Sequence, residues 1–483
     1  MLFSSSVFLF IFLPVVIIGY YLLRGNWRNV FLFIASLVFF AWGGVSYSVL
    51  LMASIIMNYF FGRAIGKNPG GKKSQIWLGT GVTLNLLLLG VFKYANFIIS
   101  NINNLFETIN IPALENTSIA LPIGISFYTF QSLSYLIDIY RKETNYQKNI
   151  LRLGLYISLF PQLIAGPIVR YHDIAKQLQS RTVSFEKFSY GVQRFLTGLA
   201  KKILIANSFA YIADDIFVVI PADLSASAAW LGVISYTLQI YFDFSGYSDM
   251  AIGLGSIFGF KILENFNFPY IARSIRDFWR RWHISLSTWF RDYLYIPLGG
   301  NRKGNIRTYV NLIIVFFLTG LWHGASWNFV AWGMIHGFFL ILERTGGEKI
   351  LNKLWKPLQH LYTLFIVLMA WVLFRAEDFT YAWGYYKAML GLNTSKYGMY
   401  ELSKYLNTEF YIVLAVALLG STKFFINTGD FIGKFKNNTD KKIQPILQSV
   451  HSLISIGFYL GLLVLCAMYL LSYTYNPFIY YRF

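Results

Sequence analysis

The amino-acid sequence predicts an all-α protein that crosses a membrane several times. Of its 483 residues, 56% are hydrophobic and only 13% are charged, and the mean hydropathy is +0.50, unlike a soluble globular chain. Apolar runs of about 20 residues, enough for a helix to cross a bilayer, recur along the chain, and none alternates as a β-barrel strand does. We therefore expect a polytopic membrane protein with about 10 to 12 transmembrane helices, together with shorter re-entrant and interfacial helices.

The N-terminal third contains five predicted spans whose connecting loops alternate in charge. These spans are residues 3–23, 30–42, 45–61, 76–99 and 119–140. The first run has no basic segment before it and no small-residue cleavage site, which favours an uncleaved span over a signal peptide. Every second loop is basic, as Arg141 and Lys142 illustrate after the fifth span. By the positive-inside rule, the N-terminus should lie outside and these loops in the cytoplasm.

The middle third is less regular. Residues 151–168 form a short apolar run that Pro161 and Pro167 interrupt. Residues 185–217 mix basic and apolar side chains, as an interfacial amphipathic helix does. Residues 226–260 are long enough for one span with a bent continuation.

A basic and aromatic segment, residues 273–307, precedes the last spans. Its arginines and lysine are Arg273, Arg276, Arg280, Arg281, Arg291, Arg302, Lys303 and Arg307, and its tryptophans are Trp279, Trp282 and Trp289. Such a segment is too charged to span and too aromatic to be a solvated loop. We expect it to lie in the membrane interface or to enter the membrane as a re-entrant element protected by neighbouring helices.

The remaining apolar runs complete a single domain. We predict an outward helix at 309–322 and a returning helix at 327–342. The last predicted spans are residues 358–374, 410–426 and 453–473. Since no linker or repeat divides the chain, we assign residues 1–483 to one domain, with a motif-rich core at about 236–342 and C-terminal helices at 358–483.

Composition and missing motifs exclude several function classes. The net charge of +19 comes from basic residues between apolar spans, which fits cytoplasmic loops and anionic lipid headgroups, so we assign no nucleic-acid role. The single cysteine, Cys466, excludes an internal disulfide and a cysteine-rich metal site. There is no Walker A motif, no dinucleotide glycine fingerprint and no His-Glu-x-x-His pair, and we predict no metal.

A pair of histidines is the strongest candidate for chemistry. His323 interrupts an apolar run and is flanked by aromatic residues, and ionisable groups at membrane depth usually face a cavity or a partner. His283 lies in the basic segment, forty residues earlier, and a re-entrant fold could bring both rings to one tunnel. Imidazole suits general-base catalysis near neutral pH. Either ring could instead be satisfied by a carbonyl of a neighbouring helix, and the same structural interpretation holds more strongly for His336.

Two carboxylates in the middle of the chain form a second constellation. Asp243 and Asp249 lie six residues apart in an apolar segment with hydroxyl side chains between them. They could form the polar wall of a cavity or pair with the arginines downstream.

Three motifs resemble the membrane-bound O-acyltransferase (MBOAT) family, in the branch that serves alginate O-acetylation. They are residues 276–287 (RDFWRRWHISLS), 291–301 (RDYLYIPLGGN) and 318–328 (LTGLWHGASWN). The resemblance is strongest between about residues 236 and 336. It implies a ring of helices around a thin central region, with a tunnel that joins a cytoplasmic donor to an external acceptor.

The resemblance also implies an activity and its site. The family's near-invariant histidine falls on His323, and the second active-site position falls on His283. The implied donor is acetyl-CoA, with no bound cofactor. The acetyl group would go to an exported polysaccharide through a separate extracellular or periplasmic acetyltransferase partner, in a bacterial cytoplasmic membrane. A related activity of the family moves D-alanine to teichoic acid.

We expect the substrate-binding residues to surround this tunnel. Arginine suits phosphate groups, so the basic segment could attract CoA phosphates. The candidates are Arg280, Arg281, Arg291, Asp243, Trp322 and Asn328.

A transporter or flippase for a lipid-linked or acyl-bearing substrate is the alternative. Gln131, Asp138, Asp243 and His323 would then line its pathway. Transporters often contain inverted repeats, and the two halves of this chain show no such similarity.

Overall fold

The computed structural model describes residues 1–115, 119–393, 402–429, 444–472 and 475–478, and within these ranges it contains helices and no strand. This confirms the predicted all-α class. The α-helices of the first half are α1 Leu13–Leu22, α2 Trp27–Ala41, α3 Val45–Gly66, α4 Lys72–Leu89, α5 Ala95–Thr108, α6 Ile125–Tyr140, α7 Ile150–Ser158, α8 Phe160–Leu163, α9 Tyr171–Gln179, α10 Phe185–Ala200, α11 Asn207–Ile216 and α12 Ala226–Ile257. Those of the second half are α13 Ile275–Arg281, α14 Ile284–Phe290, α15 Asn305–His323, α16 Trp327–Leu342, α17 Glu348–Leu351, α18 Lys356–Arg375, α19 Phe379–Met389, α20 Thr408–Gly420 and α21 Gln444–Ser472.

Short π-helical and 3-10 segments connect several of these helices. The π-helical segments are Phe8–Phe12, Gly90–Tyr94, Lys201–Ala206, Arg291–Tyr295 and Glu343–Gly347, and the 3-10 segments are Pro221–Asp223, Pro269–Ile271 and Leu402–Lys404. The segment Gly90–Tyr94 makes α4 and α5 one continuous helical stretch, and Lys201–Ala206 does the same for α10 and α11. Such π-helical insertions are frequent at functional sites.

Five helical stretches in the described ranges are long and apolar enough to cross a membrane. They are Val45–Gly66, Lys72–Thr108, Asn305–His323, Lys356–Arg375 and Gln444–Ser472, and shorter apolar helices occur at Phe8–Leu22, Trp27–Ala41 and Thr408–Gly420. The predicted span at 453–473 lies in α21 except for residue 473, which is outside the described residues. The 32-residue α12 is buried along almost its whole length, so it forms part of the interior of the bundle.

Residues 185–217 are predicted to form an interfacial amphipathic helix, and the structure has two amphipathic helices there, α10 and α11, which a π-helical segment joins. The helix pair α10 and α11 packs closely against α12, which is continuous where a bent continuation was expected. Gly191 and Gly198 on α10 meet Gly253 and Gly246 on α12, and a Cβ added at Gly198 would lie 2.5 Å from the Gly246 carbonyl oxygen. Because glycines allow two backbones to approach this closely, one face of α10 packs directly against α12.

Three of the four basic side chains of 185–217 are paired with the carboxylates of α12. Arg194 and Lys201 contact Asp249 at 2.6 and 2.7 Å, and Lys202 contacts Asp243 at 3.0 Å. The sequence predicted either a cavity wall or partners among the arginines downstream. The partners are upstream instead, because the antiparallel approach of α10 to α12 brings these charges into register.

The segment 273–307 forms a helical hairpin with His283 at its turn. His283 has a left-handed backbone (φ 44°, ψ 54°) between α13 and α14 and is fully buried. At the other end of α13, the Glu343 carboxylate accepts hydrogen bonds from the backbone N–H groups of Ile275 and Arg276 at 2.6 and 3.0 Å. Carboxylates stabilise helix N-termini, so this contact fixes the hairpin against α16.

Helices α15 and α16 form a second, antiparallel hairpin. A Cβ added at Gly333 would lie 2.2 Å from the Phe316 carbonyl oxygen, so the two backbones touch. The 19 residues of α15 span roughly 28 Å, close to the thickness of a hydrocarbon core. His323 is the last residue of α15, so it lies at the end of this helix that is farther from the basic segment 273–307.

Candidate active site

His323 is the last residue of α15 and is enclosed by aromatic rings. Its ring centroid lies 5.0 Å from those of Trp322 and Trp332 and 5.2 Å from that of Phe374. Its Nε2 atom is buried and has no hydrogen-bond partner among the described residues. An unsatisfied buried polar atom is costly, so this nitrogen is suited to receive a group that the substrate brings.

Two residues of the π-helical segment Gly90–Tyr94 hold the end of α15. The Lys93 ammonium donates to the carbonyl oxygen of Trp322 and, at 3.3 Å, to that of His323 and to Ser126 Oγ. The Tyr94 hydroxyl donates to the Leu321 carbonyl at 2.9 Å. Cations and donors satisfy the free carbonyls at a helix C-terminus, so these contacts fix the backbone that carries the imidazole.

Lys93 is a site residue that the sequence analysis missed. It lies inside the predicted span 76–99, and a lone lysine in an apolar run is the same signal that identified His323. The same rule, applied to every ionisable residue within the predicted spans, identifies Lys93 as well.

His323 lines a hollow of about 200 Å³ at the end of the bundle that the positive-inside rule places outside. The hollow is bordered by Lys93, Leu121, Pro122, Ile123, Gly124, Ile125, Ser126, Phe127, Ile164, Trp322 and His323. Gly124 is required there, since its φ is +77° and a Cβ would lie 2.6 Å from the Leu163 carbonyl oxygen. His323 thus borders a hollow at one end of the protein that is large enough for a small group.

His283 is held in one tautomer by Asn265. Its Nδ1 lies 3.1 Å from Asn265 Oδ1, which also accepts from the backbone N–H and the hydroxyl of Ser285. Because the amide oxygen can only accept, Nδ1 of His283 carries the proton and Nε2 carries the lone pair. This Nε2 is buried and has no partner within the part of the chain that the structure describes.

The structure brings the two predicted histidines together. The ring centroids of His283 and His323 are 6.4 Å apart, and that of Trp322 is 6.0 Å from His283. Two histidines that are forty residues apart in the sequence therefore share one site, because the α13–α14 turn and the end of α15 meet inside the bundle.

The predicted substrate-binding residues are not all in this site. Arg281 pairs with Asp277 at 2.9 Å, Arg291 pairs with Asp292 at 2.7 Å, and Arg280 is exposed. These three arginines lie on the basic hairpin and its continuation, away from the hollow that His323 lines.

The remaining candidates have structural contacts. Asp243 is held by Lys202, and Asn328 donates to the Ala376 carbonyl oxygen at 3.0 Å, which ties α16 to the end of α18. Trp322 lines the hollow, and its indole Nε1 is buried without a partner among the described residues.

A group of three possible metal ligands lies away from the histidine pair. Asp138, Glu143 and His172 have ligand atoms within 4.8 Å of one another. The Asp138 carboxylate already accepts from the Tyr293 hydroxyl at 2.6 Å and contacts His172 Nδ1 at 2.8 Å. Hydrogen bonds within the chain therefore account for this cluster.

Comparison with known sequences identifies the class of protein. Residues 141–374 match the membrane-bound O-acyltransferase family, and they contain both histidines. The chain belongs to this family and is an acyltransferase, as the motifs indicated.

Individual relatives show which members of the family this chain is similar to. The chain is 41% identical to a probable alginate O-acetylase of Pseudomonas putida, with all of both chains covered. It is 48% identical to one of Azotobacter vinelandii over 80% of this chain and 78% of that protein. It is also 39% identical to a peptidoglycan O-acetyltransferase of Helicobacter pylori, over 81% of this chain and 80% of that protein.

Proposed function

We propose that this acyltransferase carries acetyl groups from cytoplasmic acetyl-CoA across a bacterial cytoplasmic membrane for the O-acetylation of an exported polysaccharide. The relatives named as alginate and peptidoglycan O-acetyltransferases support this acceptor class. An acetyltransferase partner outside the membrane would take the acetyl group from the site and pass it to the polymer.

One observation carries the proposal: His323 has an unpartnered buried nitrogen and also lines a hollow at the predicted outer end. A hydroxyl group of the partner, which takes the acetyl group first, can approach through this hollow. The polysaccharide itself then does not have to enter the bilayer. Lys93 places a positive charge beside the same hollow, where negative charge develops on the acyl oxygen during transfer.

The donor would approach from the opposite end. The basic hairpin 273–307 ends there in exposed arginines, which fit the phosphates of CoA. His283 lies between the two helices of this segment and 6.4 Å from His323 by ring centroids, so a thioester that enters along the segment would meet the pair of histidines.

The proposed reaction conserves atoms and protons. His323 accepts the proton of the acceptor hydroxyl, the oxygen bonds to the acetyl carbon, and the carbon–sulfur bond breaks. The departing thiolate takes up the proton that His323 accepted, which leaves a neutral imidazole, a free thiol and an O-acetyl ester. The tautomer of His283 presents a lone pair, so it is suited to orient the acceptor O–H group.

Replacement of His323 tests the proposal. His323→Ala should lower polysaccharide acetylation by about 100-fold or more, because general-base catalysis contributes about 10²–10⁴-fold. Base-labile acetate on the polysaccharide is measured in cells that contain equal amounts of the variant in the membrane. His451→Ala, on an exposed face of α21, is the matched control and should leave acetylation unchanged.

Full acetylation by His323→Ala would reject the proposed role of the imidazole. Labelled acetyl-CoA given to membranes distinguishes the classes of activity. Acetyl transfer supports the enzyme, transfer only from a D-alanyl thioester supports the teichoic-acid activity, and movement of a lipid-linked substrate without transfer supports a transporter.

A further inference from the structure

A second hollow lies at the end of the bundle opposite the hollow that His323 lines. This inner hollow has a volume of about 790 Å³ and lies between the α9–α10 connection, the first turns of α10 and the segment that follows α12. Tyr20, at the cytoplasmic end of the predicted span 3–23, donates to the Phe258 carbonyl oxygen at the end of α12 at 2.7 Å. By the positive-inside rule, the inner hollow therefore lies at the level of the cytoplasmic membrane surface.

Three basic side chains border the inner hollow. They are Arg181, Lys187 and Lys261, and none of them forms an ion pair with a carboxylate in the part of the chain that the structure describes. Glu264 also borders the hollow, but its carboxylate pairs with Arg194 at 2.6 Å. The hollow therefore has an excess of positive charge, which favours an anionic ligand.

Arg181 joins several elements at this hollow and has a donor group left over. Its Nε atom donates to the Tyr20 hydroxyl at 3.2 Å and to the Phe258 carbonyl oxygen at 2.9 Å, and its Nη1 atom donates to Asn29 Oδ1 at 2.6 Å. The guanidinium lies 4.1 Å from the ring centroid of Phe260. Its Nη2 atom is buried and has no hydrogen-bond partner among the described residues. A buried guanidinium donor is unfavourable unless an acceptor completes it, and a phosphate oxygen is the acceptor that arginine matches best.

Apolar side chains border the same hollow. Ile252 and Ile262 are buried in its wall, whereas Tyr190 and Leu263 border it and are 47% and 41% exposed. Tyrosine is enriched where a membrane meets water, because its ring is apolar and its hydroxyl is polar. A ligand in this hollow therefore meets cations and hydrocarbon surface together, which is the environment of an anionic amphiphile.

The position of the hollow favours a lipid over a soluble anion. Basic pockets between helices on the cytoplasmic side of a membrane bind the headgroups of anionic lipids, because these headgroups are concentrated at that surface. A soluble phosphate would use the three cations and leave Tyr190 and Leu263 without a partner. A phospholipid uses both, since its phosphodiester and its acyl chains are joined in one molecule.

We propose that the inner hollow binds an anionic phospholipid of the cytoplasmic leaflet, with its phosphodiester at Arg181, Lys187 and Lys261 and its chains along Tyr190 and Leu263. The phosphodiester supplies the acceptor that the Arg181 Nη2 atom lacks. Because Arg181 already contacts α1, α2 and the end of α12, the bound lipid braces the inner ends of these three helices. This site is separate from the histidine pair and does not depend on the proposed acetyl transfer.

The experiment measures lipid affinity with the detergent-purified full-length chain. Dioctanoylphosphatidylglycerol is titrated, and its Kd is taken from the rise of the thermal midpoint with lipid concentration, because a ligand that binds only the folded state raises that midpoint. Dioctanoylphosphatidylcholine has the same chains without the net negative charge, and glycerophosphoglycerol has the same headgroup without the chains. Both should bind at least about tenfold more weakly than dioctanoylphosphatidylglycerol, since each lacks one of the two features.

The decisive variant is Lys187→Gln with Lys261→Gln. Each basic side chain at an anionic membrane surface contributes a factor of about five in affinity, so the pair should weaken dioctanoylphosphatidylglycerol binding about 25-fold. Lys261→Gln alone changes an exposed side chain, so it leaves the fold intact and should weaken binding about fivefold.

The matched control is Lys72→Gln with Lys73→Gln. These two lysines are exposed at the start of α4, at the same predicted cytoplasmic end, and they do not border the inner hollow. The control pair removes the same charge from the same side of the membrane and should change the affinity less than about twofold.

Each other result would overturn the inference. An equal loss in the control pair would show general attraction to a basic surface, and unchanged binding by the Lys187 and Lys261 pair would show that the lipid binds elsewhere. Equal affinity for dioctanoylphosphatidylcholine would exclude recognition of charge, and equal affinity for glycerophosphoglycerol would assign the hollow to a soluble anion. None of these results bears on acetyl transfer at His323, which its own variant tests.

Discussion

The buried ion pair between Lys202 and Asp243 allows a strong test of how the interior of this protein is built. The Lys202 ammonium lies 3.0 Å from the Asp243 carboxylate, and the side chains are only 3% and 1% exposed. Lys202 also donates to the carbonyl oxygen of Pro477, so the pair fastens the C-terminal segment to α12. Replacement of Asp243 removes this counter-charge from the Lys202 ammonium, in a place that water does not reach.

We expect Asp243→Asn to destabilise the folded protein by about 3–5 kcal/mol, the usual cost of breaking a buried ion pair from one side. Lys202→Met should have a similar effect. The double variant should recover most of the loss, because replacing both partners of a buried pair is often neutral. Lys201→Met is the matched control, since Lys201 is 24% exposed and should cost less.

The assay is the thermal midpoint of each detergent-purified full-length variant, with acetyl transfer measured at equal protein amounts. Instability of the double variant equal to the sum of both single variants would refute mutual neutralisation. If Asp243→Asn keeps its thermal midpoint and loses only acetyl transfer, Asp243 contacts the substrate, as the sequence analysis predicted.

Two further predictions concern Lys93 and His172. Lys93→Met should lower polysaccharide acetylation by about 10–100-fold, because charged hydrogen bonds contribute about 1.5–3 kcal/mol. Lys93→Arg keeps a cation and should retain more activity. Equal acetylation by both variants and the wild type would contradict this role of Lys93. Hydrogen bonds to Asp138 and Asp173 raise the pKa of His172 from 6.5 to about 10. A raised pKa stabilises the folded state fully below pH 6.5, and this stabilisation is lost as pH rises through about 10. The difference in thermal midpoint between wild type and His172→Gln should therefore be largest near pH 6 and disappear above pH 10, and a difference independent of pH would disprove it.

Local patterns were sufficient to predict much of the helical framework. The helix pair at 309–342 and the interrupted run at 151–168 were both predicted close to their observed bounds. Helix length and apolarity are local properties, and the bilayer imposes a common length on them. The prediction that His323 is functional rests on the same kind of reasoning, because an imidazole in an apolar run is unusual wherever it occurs.

The interior contacts needed the structure. Residues 185–217 are amphipathic, as predicted, but their pattern does not show that Arg194, Lys201 and Lys202 meet acidic partners on α12. A charge pattern alone does not distinguish a solvated face from a face paired across two helices. The arginines predicted to bind the donor could likewise not be separated from arginines that pair with their own neighbours.

The sequence alone determined that this protein is helical, membrane-embedded and equipped with an isolated imidazole, because hydropathy and residue type are properties of short segments. Only the tertiary structure decided which rings share a site, which tautomer Asn265 imposes on His283, and that Lys93 holds the end of α15. These facts depend on contacts between residues that are 18 and 230 positions apart, and such contacts exist only once the helices have packed.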